Sequence, residues 1–310
     1  MKIGDPSLDQ LRIFVSVVEH GSFGGAARAS GRAVSAISYG VSQMEAQLGV
    51  KLFEREGSRK PVLTDEGEGL LAEARAIIDR TDALVAKARS LHAGLESRVG
   101  LVLDVMVPGD VTARVLREFR RMFPTVALSL NVEGLGAVAE CLLDGRGELA
   151  IGGPVIGEHP ALERQVLGEV ELVPVAAPGH PLARDNVDPG ESREHLQLVL
   201  ADRSDLTQGR EFSVLSPLTW RLGDLGAKHS LLREGLGWGN MPHHQVAQDI
   251  ADGRLCLLDL PEKPGAHYPL SAMWRREHRL GPASNWMVDA FRDALAECRS
   301  NHVSGRHEAS

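Results

Sequence analysis

The sequence predicts one chain with two kinds of fold, an all-α N-terminal part and an α/β remainder. Three short helical patterns follow one another at 8–19, 23–30 and 34–48, then a short basic hairpin and a longer helical run at 64–91. Beyond residue 95, strand-like and helix-like runs alternate, which is typical of α/β units around a mainly parallel sheet. These observations predict an N-terminal all-α winged helix-turn-helix with a long linker helix, plus an α/β domain.

Composition is ordinary for a globular protein, with 43% hydrophobic and 25% charged residues. No apolar run reaches the ~20 residues that a membrane span needs, and residues 1–6 lack the apolar core of a signal peptide. We therefore expect no membrane partner and a cytoplasmic location. The net charge of −8 divides unevenly, because residues 1–63 carry eight basic and six acidic side chains, a net +2, and the remainder carries −10. Such asymmetry is a weak indication of nucleic-acid contact.

The first two helices have clear ends and an apolar face. Ser7 and Gln10 form the pattern of a capping box. Gly21 ends the first helix, and Ser22 is the predicted N-cap of the second. Apolar residues at spacings of three and four predict a buried stripe on the first helix. The stripe consists of Leu8, Leu11, Phe14, Val15 and Val18.

The third helix is the predicted DNA-reading element. Its apolar positions leave serine, tyrosine and glutamine side chains on other faces, where they can contact phosphates or base edges. Basic side chains surround the Gly57 turn of the hairpin, which suits phosphate contact. A solvated helix face and an ordinary basic loop are the alternatives, but the two elements in succession favour double-stranded DNA as the partner. The candidate DNA-binding residues are Ser22, Arg32, Val34, Ser35, Ser38, Tyr39, Ser42, Gln43, Arg55, Arg59 and Lys60.

The helical run at 64–91 carries an apolar seam. Thr64 is its predicted N-cap, and at 1.5 Å per residue the helix measures ~40 Å. Apolar residues alternate at spacings of four and three, the a/d pattern of a coiled coil. Packing on its own domain is the alternative; a homodimer is favoured because a two-fold operator needs two reading helices at a fixed separation. The seam consists of Leu70, Ala74, Ile77, Thr81, Leu84, Ala88 and Leu91.

Several strings of residues, in this order and spacing, resemble the LysR-type transcriptional regulators. In the first part they read Leu-Arg-Ile-Phe from Leu11, Gly-Ser-Phe-Gly-Gly-Ala-Ala from Gly21, Ser-Ala-Ile-Ser-Tyr from Ser35, Leu-Gly-Val-Lys-Leu-Phe-Glu-Arg from Leu48 and Leu-Thr-Asp-Glu-Gly from Leu63. Less specific landmarks of the second part include those at 179–183 and 235–242.

The chain also departs from the family pattern near the start of the third helix. Ala33 cannot cap that helix, so either the N-cap shifts or Ser35 takes the role. Val34 stands where the family usually has Gln, and Tyr39 where many members have Arg. These departures bear on which DNA sequence is read, not on whether DNA is bound.

The resemblance implies a ligand-responsive transcriptional regulator that binds an interrupted inverted-repeat operator as a dimer or tetramer. It implies a winged helix-turn-helix domain at 1–63, a linker and dimerisation helix at 64–91, and a two-lobed, periplasmic-binding-protein-like effector domain at 92–310. A small-molecule effector would bind between the lobes. The lobes would comprise about 95–169 with 273–300, and about 170–272.

Ligands of open α/β sheets sit beyond the carboxyl ends of strands, where helix N-termini offer N–H groups. Acids at Asp104 and Asp202 would disfavour an anion, so we expect a neutral or cationic effector, or no small anion at all. A helix N-cap or a salt bridge between the lobes is the alternative for Asp104. The candidate effector-binding residues are Asp104, Met106, Val107, Pro108, Glu133, Gly152, Gly153, Ala201, Asp202, Trp220 and Trp238.

No catalytic or metal-binding motif stands out in the sequence. Adjacent His243 and His244 would project to different faces of a helix, and no nucleophile elbow, phosphate loop or complete dinucleotide fingerprint occurs. We expect no cofactor, no metal ion and no enzymatic activity.

The three cysteines, Cys141, Cys256 and Cys298, are far apart in the sequence, which predicts reduced thiols and leaves a redox role open. The alternative for the whole chain is a soluble solute-binding protein or small enzyme with an N-terminal dimerisation module.

Overall fold

The chain folds into two compact units, Met1–Ser90 and Leu91–Ser310. A computed structural model describes residues 4–54, 60–92, 94–153, 159–208, 210, 212–262 and 265–307. Each unit has its own hydrophobic core, as expected where two domains fold separately.

Three helices, α1 (Leu8–Glu19), α2 (Phe23–Ser30) and α3 (Val34–Leu48), form the core of the first unit. The predicted capping box of α1 is present, because Gln10 N donates to Ser7 Oγ at 3.2 Å and Ser7 N donates to Gln10 Oε1 at 2.6 Å. The observed bounds of these helices agree with those predicted from the sequence.

The buried face of α1 is wider than the predicted stripe. Ile13 and Val17 are buried, whereas Leu8 and Val18 are only partly buried. Helix α1 packs against both α2 and α3, so a broad arc of its surface is covered. Ile13 lies so close to α3 that a Cβ at Gly40 would lie 2.8 Å from its Cδ1.

A long helix, α4 (Asp65–His92), follows a short antiparallel bridge between Phe53 and Leu63. The Thr64 hydroxyl accepts from Gly67 N at 2.9 Å and donates to Lys51 O at 2.6 Å. Thr64 therefore caps α4, as predicted, and fixes the helix to the chain that enters the wing.

Strands of the second unit form a nine-stranded sheet in the order β2-β1-β3-β9-β4-β7-β5-β6, with β8 beside β4. In the described part of the chain they are β1 (Arg98–Asp104), β2 (Ala127–Glu133), β3 (Leu149–Gly152), β4 (Leu162–Ala176), β5 (Gln197–Leu200), β6 (Thr219–Leu222), β7 (Trp238–Pro242), β8 (Cys256–Leu257) and β9 (Ala266–Arg275).

Helices cover this sheet and connect its parallel strands. They are α5 (Gly109–Met122), α6 (Gly136–Leu143), α7 (Leu225–Arg233), α8 (His243–Ala251) and α9 (Pro282–His307), with short 3-10 turns at Glu191–Glu194 and Asp205–Thr207. The βα alternation places helix N-termini next to the carboxyl ends of strands.

The second unit has two α/β lobes that share β4 and β9. In the first lobe β1 pairs in parallel with β2 and β3; in the second, β5 pairs in parallel with β6 and β7. Residues 162–172 of β4 pair with β9 and residues 172–176 pair with β7, so β4 runs through both lobes. The lobe boundary predicted at residue 169 falls inside this strand.

Candidate DNA-binding and effector sites

The exposed face of α3 carries the predicted DNA-reading side chains. Ile37, Val41 and Met44 are buried, and α3 packs against α1 and α2, so the opposite side of the helix faces solvent. Tyr39 is 66% exposed. The structure brings together, all exposed on α3, the side chains of Val34, Ser35, Ser38, Tyr39, Ser42 and Gln43.

Tyr39 and Gln43 form a bonded pair one helical turn apart. Gln43 Nε2 donates to Tyr39 Oη at 2.8 Å. Since the tyrosine oxygen is the acceptor in this bond, its O–H is still able to donate to a phosphate or a base edge. The sequence placed both residues on this face but could not show that they bond to each other.

Helix α3 begins without a side-chain cap. Ala33 is the N-cap residue, and its side chain makes no capping hydrogen bond. Because Val34 and Ser35 are exposed, the N–H groups of these two residues can donate to water or to a phosphate, whereas Ala36 N donates to Ala33 O at 3.0 Å.

Ser22 and Arg32 both make hydrogen bonds within the first unit. Ser22 Oγ accepts from Gly25 N at 2.9 Å and caps α2. Arg32 Nη1 pairs with Asp9 Oδ2 at 2.8 Å, and this hydrogen bond lowers the pKa of Asp9 and raises the pKa of Arg32. DNA contact by either residue stays a prediction.

The wing is described only at its base. Glu54 N donates to Val62 O at 2.9 Å beside the Phe53–Leu63 bridge, which sets the two arms of the hairpin antiparallel. Lys60 is exposed. The other two predicted wing contacts, Arg55 and Arg59, lie outside the described residues.

Glu45 is a structural residue of this site that the sequence reasoning missed. It lies on α3 and is only 9% exposed. Its Oε1 accepts from Leu52 N at 2.9 Å and its Oε2 accepts from Lys51 Nζ at 2.8 Å. These bonds fix the wing entrance to the reading helix. One feature of the sequence does indicate this role: Glu45 is an acidic residue between Val41 and Leu48, on the apolar side of the helix.

The first part of the predicted α4 seam packs on its own domain. Ala74 is 2% exposed, and Leu70 is partly buried in the same core with Leu71 and Ile78. A side chain buried in its own domain is unavailable to a second chain. Ala74 is therefore covered by its own domain, whereas contact of the partly buried Leu70 with a second chain stays a prediction. A spacing of three and four does not say which partner covers the face.

The second part of the seam is exposed in the single chain. Ile77, Leu84 and Ala88 face solvent, with Leu84 67% exposed. Thr81 is partly buried and its Oγ1 donates to Ile77 O at 2.9 Å. The side chain of Leu91 lies outside the described part of the chain.

Asp104 is a buried anchor at the carboxyl end of β1. Its Oδ1 accepts from Met106 N at 3.0 Å, and its Oδ2 accepts from Gly153 N at 3.2 Å and from the Tyr268 hydroxyl at 2.7 Å. Burial raises the pKa of Asp104, and the three hydrogen bonds oppose that rise. The side chain joins the ends of β1, β3 and β9, which is neither the helix cap nor the lobe–lobe salt bridge considered from the sequence.

Gly152 and Gly153 pack closely around Asp104 and Tyr268. A Cβ at Gly153 would lie 2.1 Å from the Tyr268 ring, and one at Gly152 would lie 3.0 Å from Asp104 Cβ. Tyr268 is thus a second residue that the sequence reasoning missed. Gly153 makes room for the Tyr268 ring, which explains this glycine without a ligand.

Four predicted effector contacts lie inside the protein. Met106 and Val107 belong to the main core of the second unit, and Pro108 is buried just before α5. Trp238 is fully buried, and its Nε1 donates to Ser192 O at 3.2 Å. The protein itself covers these four side chains, and effector contact by any of the four residues stays a prediction. Trp220, by contrast, is half exposed on the edge strand β6.

The remaining effector candidates meet between the two lobes. Glu133, which ends β2, forms an ion pair with Arg203 of the second lobe. Asp202 Oδ2 accepts from Gly136 N of the first lobe at 3.0 Å. Ala201, just before it, donates its N–H to Leu222 O at 2.8 Å and holds this segment on the second lobe. The structure therefore brings Glu133 and the 201–203 segment together.

The three cysteines are reduced and separately placed. Cys141 is buried with Val102 and Leu142, Cys256 lies beside a small second-lobe cluster, and Cys298 packs on the main core from α9. Burial raises the pKa of each thiol.

Among the described residues, no three His, Cys, Asp or Glu side chains are grouped to hold a metal ion, and no helix combines the length and the apolar character of a membrane span.

Two family models match the chain, one over each unit. The model of the bacterial regulatory helix-turn-helix protein, lysR family, matches residues 8–68. The model of the LysR substrate binding domain matches residues 92–296. The helix-turn-helix match covers α1 to α3 and the wing, and the second match covers both lobes.

Similar proteins include characterised regulators and solved structures. The HTH-type transcriptional regulator AceR of Acinetobacter baumannii is 28% identical, with 92% of this chain and 96% of that protein aligned. The HTH-type transcriptional activator AllS of Klebsiella pneumoniae is 30% identical, over 82% and 95% of the two chains. An OxyR C206 mutant of Corynebacterium glutamicum has the same fold, with a TM-score of 0.53 at 21% identity over 97% of this chain and 98% of that one. A DNA-reading helix, a linker helix and a two-lobed α/β domain thus occur together in a chain that belongs to the LysR family, the ligand-responsive, DNA-binding transcriptional regulators of bacteria.

Proposed function

We propose that the chain binds an operator in double-stranded DNA as a homodimer, with α3 in the major groove and the wing on the flanking backbone. The single observation that supports this most is the exposed face of α3. Its hydroxyl and amide groups, from Ser35 to Gln43, are of the kinds that read base edges and phosphates. This face has few charges, so DNA shape and the basic wing should contribute much of the affinity and specificity.

The dimer would form through the exposed second half of the α4 seam. Ile77, Leu84 and Ala88 follow the a/d spacing, and Leu84 exposes most of its side chain in the single chain. Two chains joined there would hold two reading helices apart at a fixed distance, as an inverted repeat requires. Assembly of two dimers into a tetramer is the extension that we propose for long operators.

A small-molecule effector would act between the lobes of the second unit. Glu133 and Asp202 face this region, and their carboxylates favour a neutral or cationic ligand over a small anion. The effector can change DNA binding only if it binds one lobe arrangement more tightly than the other. We infer that the chain works by binding and not by catalysis, in the cytoplasm; its regulator relatives support this.

The test measures binding of the protein to the intergenic DNA upstream of the gene that encodes it. Fluorescence anisotropy reports the binding at several salt concentrations. Affinity should fall steeply as salt rises, because phosphate contacts release counterions. Tyr39→Ala and Gln43→Ala should each weaken binding by about fivefold to 100-fold, since a base contact contributes about 1–3 kcal/mol.

Gln248→Ala is the matched control, because Gln248 is an exposed glutamine on α8, in the other unit. It should bind DNA like the parent. Wild-type affinity in both Tyr39→Ala and Gln43→Ala would refute the assignment of the α3 face. No binding at low salt by the parent protein would refute the proposed function.

A further inference from the structure

Two adjacent residues of the second lobe reach across to the first. Asp202 and Arg203 follow β5, and both form bonds with the segment that leads from β2 into α6. The Asp202 carboxylate accepts from Gly136 N at 3.0 Å, and the Arg203 guanidinium pairs with the Glu133 carboxylate. We name these four residues, Glu133, Gly136, Asp202 and Arg203, the interlobe clasp.

Asp202 takes the place of an N-cap for α6. The residue before the helix is Leu135, which makes no side-chain capping bond. Free N–H groups at a helix start are usually satisfied by a polar side chain just before the helix or by an anion. Here the acceptor is a carboxylate from the other lobe, 66 positions along the chain.

The fit around this carboxylate is close. A Cβ at Gly136 would lie 2.4 Å from Asp202 Oδ2 and 2.4 Å from Ser204 Oγ, so only glycine allows the approach. Helix α6 also packs against the 3-10 turn Asp205–Thr207. The contact is therefore a packed junction, not a lone surface bond.

The second lobe positions the Asp202 carboxylate by itself. Ser204 N donates to Oδ1 at 2.9 Å, Ser204 Oγ donates to Oδ2 at 3.1 Å, and the Thr207 hydroxyl also donates to Oδ2. These three bonds lie within one loop and do not depend on α6. Opening the lobes at this point would break the bond to Gly136 and the Arg203–Glu133 pair, while these three bonds within the second lobe would stay in place.

A third contact crosses the same boundary. Gln245 Nε2, at the start of α8, donates to Val105 O at 3.1 Å, at the end of β1. The Arg203–Glu133 pair is partly exposed and should contribute little alone. The charge-assisted bond from Gly136 to Asp202 should therefore be the strongest link.

We propose that the interlobe clasp is a built-in switch in which the chain's own carboxylate, from Asp202, occupies the start of α6 and holds the lobes together without a ligand. Breaking it changes the lobe arrangement and, through it, binding to the operator. This proposal rests on the proposed function only for that last step, because the clasp itself is a property of the second unit alone.

The test compares full-length parent protein with Asp202→Ala by hydrogen–deuterium exchange. Loss of the acceptor should raise amide exchange of residues 134–139 by about tenfold or more, with strands β1 and β3 unchanged. Asp202→Asn keeps the shape without the charge and should give a smaller rise. Asp205→Asn removes an exposed acid of the same loop and should leave exchange unchanged.

Operator binding is measured on the same variants. Asp202→Ala should change operator affinity at least threefold, and Asp205→Asn should not. Unchanged exchange at 134–139 in Asp202→Ala would overturn the clasp, and increased exchange with unchanged operator affinity would overturn its role as a switch. Should Asp202→Ala fail to fold, Asp202→Asn carries the same comparison. If the parent binds no operator while exchange still rises, the proposed function fails and the clasp stands.

Discussion

Lys228 shows at the scale of one residue how burial changes the chemistry of a side chain. It lies on α7 and is 4% exposed, and its Nζ donates to Asn240 O at 2.6 Å. Burial lowers its pKa from 10.5 to about 8. Nothing in the sequence indicates that Lys228 is buried, because a lysine in a helix is ordinarily exposed to solvent.

The lowered pKa predicts a pH-dependent stability of the second unit. Between pH 8 and pH 10.5 the folded chain holds Lys228 mainly neutral while the unfolded chain holds it protonated. Folding then releases a proton, so stability rises with pH across this window, and that gain is absent below pH 8. The gain is on the order of 3 kcal/mol across the window.

Urea unfolding at pH 7.5 and pH 10, followed by tryptophan fluorescence, measures this effect, because all four tryptophans lie in the second unit. Between pH 7.5 and pH 10 the parent should gain stability relative to Lys228→Met, because the variant has no amine to titrate at this position. Lys87→Met, at an exposed position of α4, is the matched control and should keep this gain. Identical pH profiles for parent and Lys228→Met would contradict the prediction.

At the scale of one element, the two halves of α4 lie in different surroundings. Its first turns complete the core of the first unit through Ala74, and its later turns expose Leu84 and Val85. The sequence pattern is the same in both halves. What differs is the presence of α1 to α3 beside the first half, which only the tertiary structure shows.

Leu84→Asp should therefore weaken self-association without unfolding the first unit. Burying this leucine in both chains of a dimer contributes about 1.5–3 kcal/mol per side chain, so the dimer dissociation constant should rise about 100-fold or more. Sedimentation equilibrium measures the change. Ala86→Asp adds the same charge on the opposite side of α4 and should dimerise like the parent; equal loss in both variants would count against the seam.

At the scale of the whole molecule, the three thiols are kept apart by the fold. Cys141, Cys256 and Cys298 lie in separate clusters, and burial raises the pKa of each thiol. A disulfide needs its two Cα atoms within about 7 Å, and a reactive cysteine needs thiolate character. The fold therefore disfavours redox control through a disulfide, a question that cysteine spacing had left open.

Treatment of the native protein with hydrogen peroxide should form no intramolecular disulfide and should leave operator affinity within about twofold. Peptide mass analysis after alkylation detects any disulfide, and fluorescence anisotropy with operator DNA measures the operator affinity. Cys256→Ser, which changes one of the two partly exposed thiols, should behave like the parent. A disulfide-linked peptide from natively folded protein would contradict the prediction.

The sequence by itself determined the local features of this protein. Caps at Ser7 and Thr64, the helical periods of α1 to α4 and the βα alternation depend on residues a few positions apart, and they predicted a winged helix-turn-helix followed by an α/β domain. The likeness to LysR-type regulators came from short strings of residues, such as the one that begins at Gly21. Because those signals are local, the exposed reading face of α3 could be listed in advance.

The tertiary structure decided which side chains stand at the effector region and which lie inside. Strand ends pointed to Asp104, Met106 and Trp238, but a strand end does not reveal which face is covered, and all three are buried. The clasp joins residues 66 and 70 positions apart, and Tyr268 meets Asp104 across 164 positions. No spacing rule spans such separations, because they are set by how whole strands pack in the sheet.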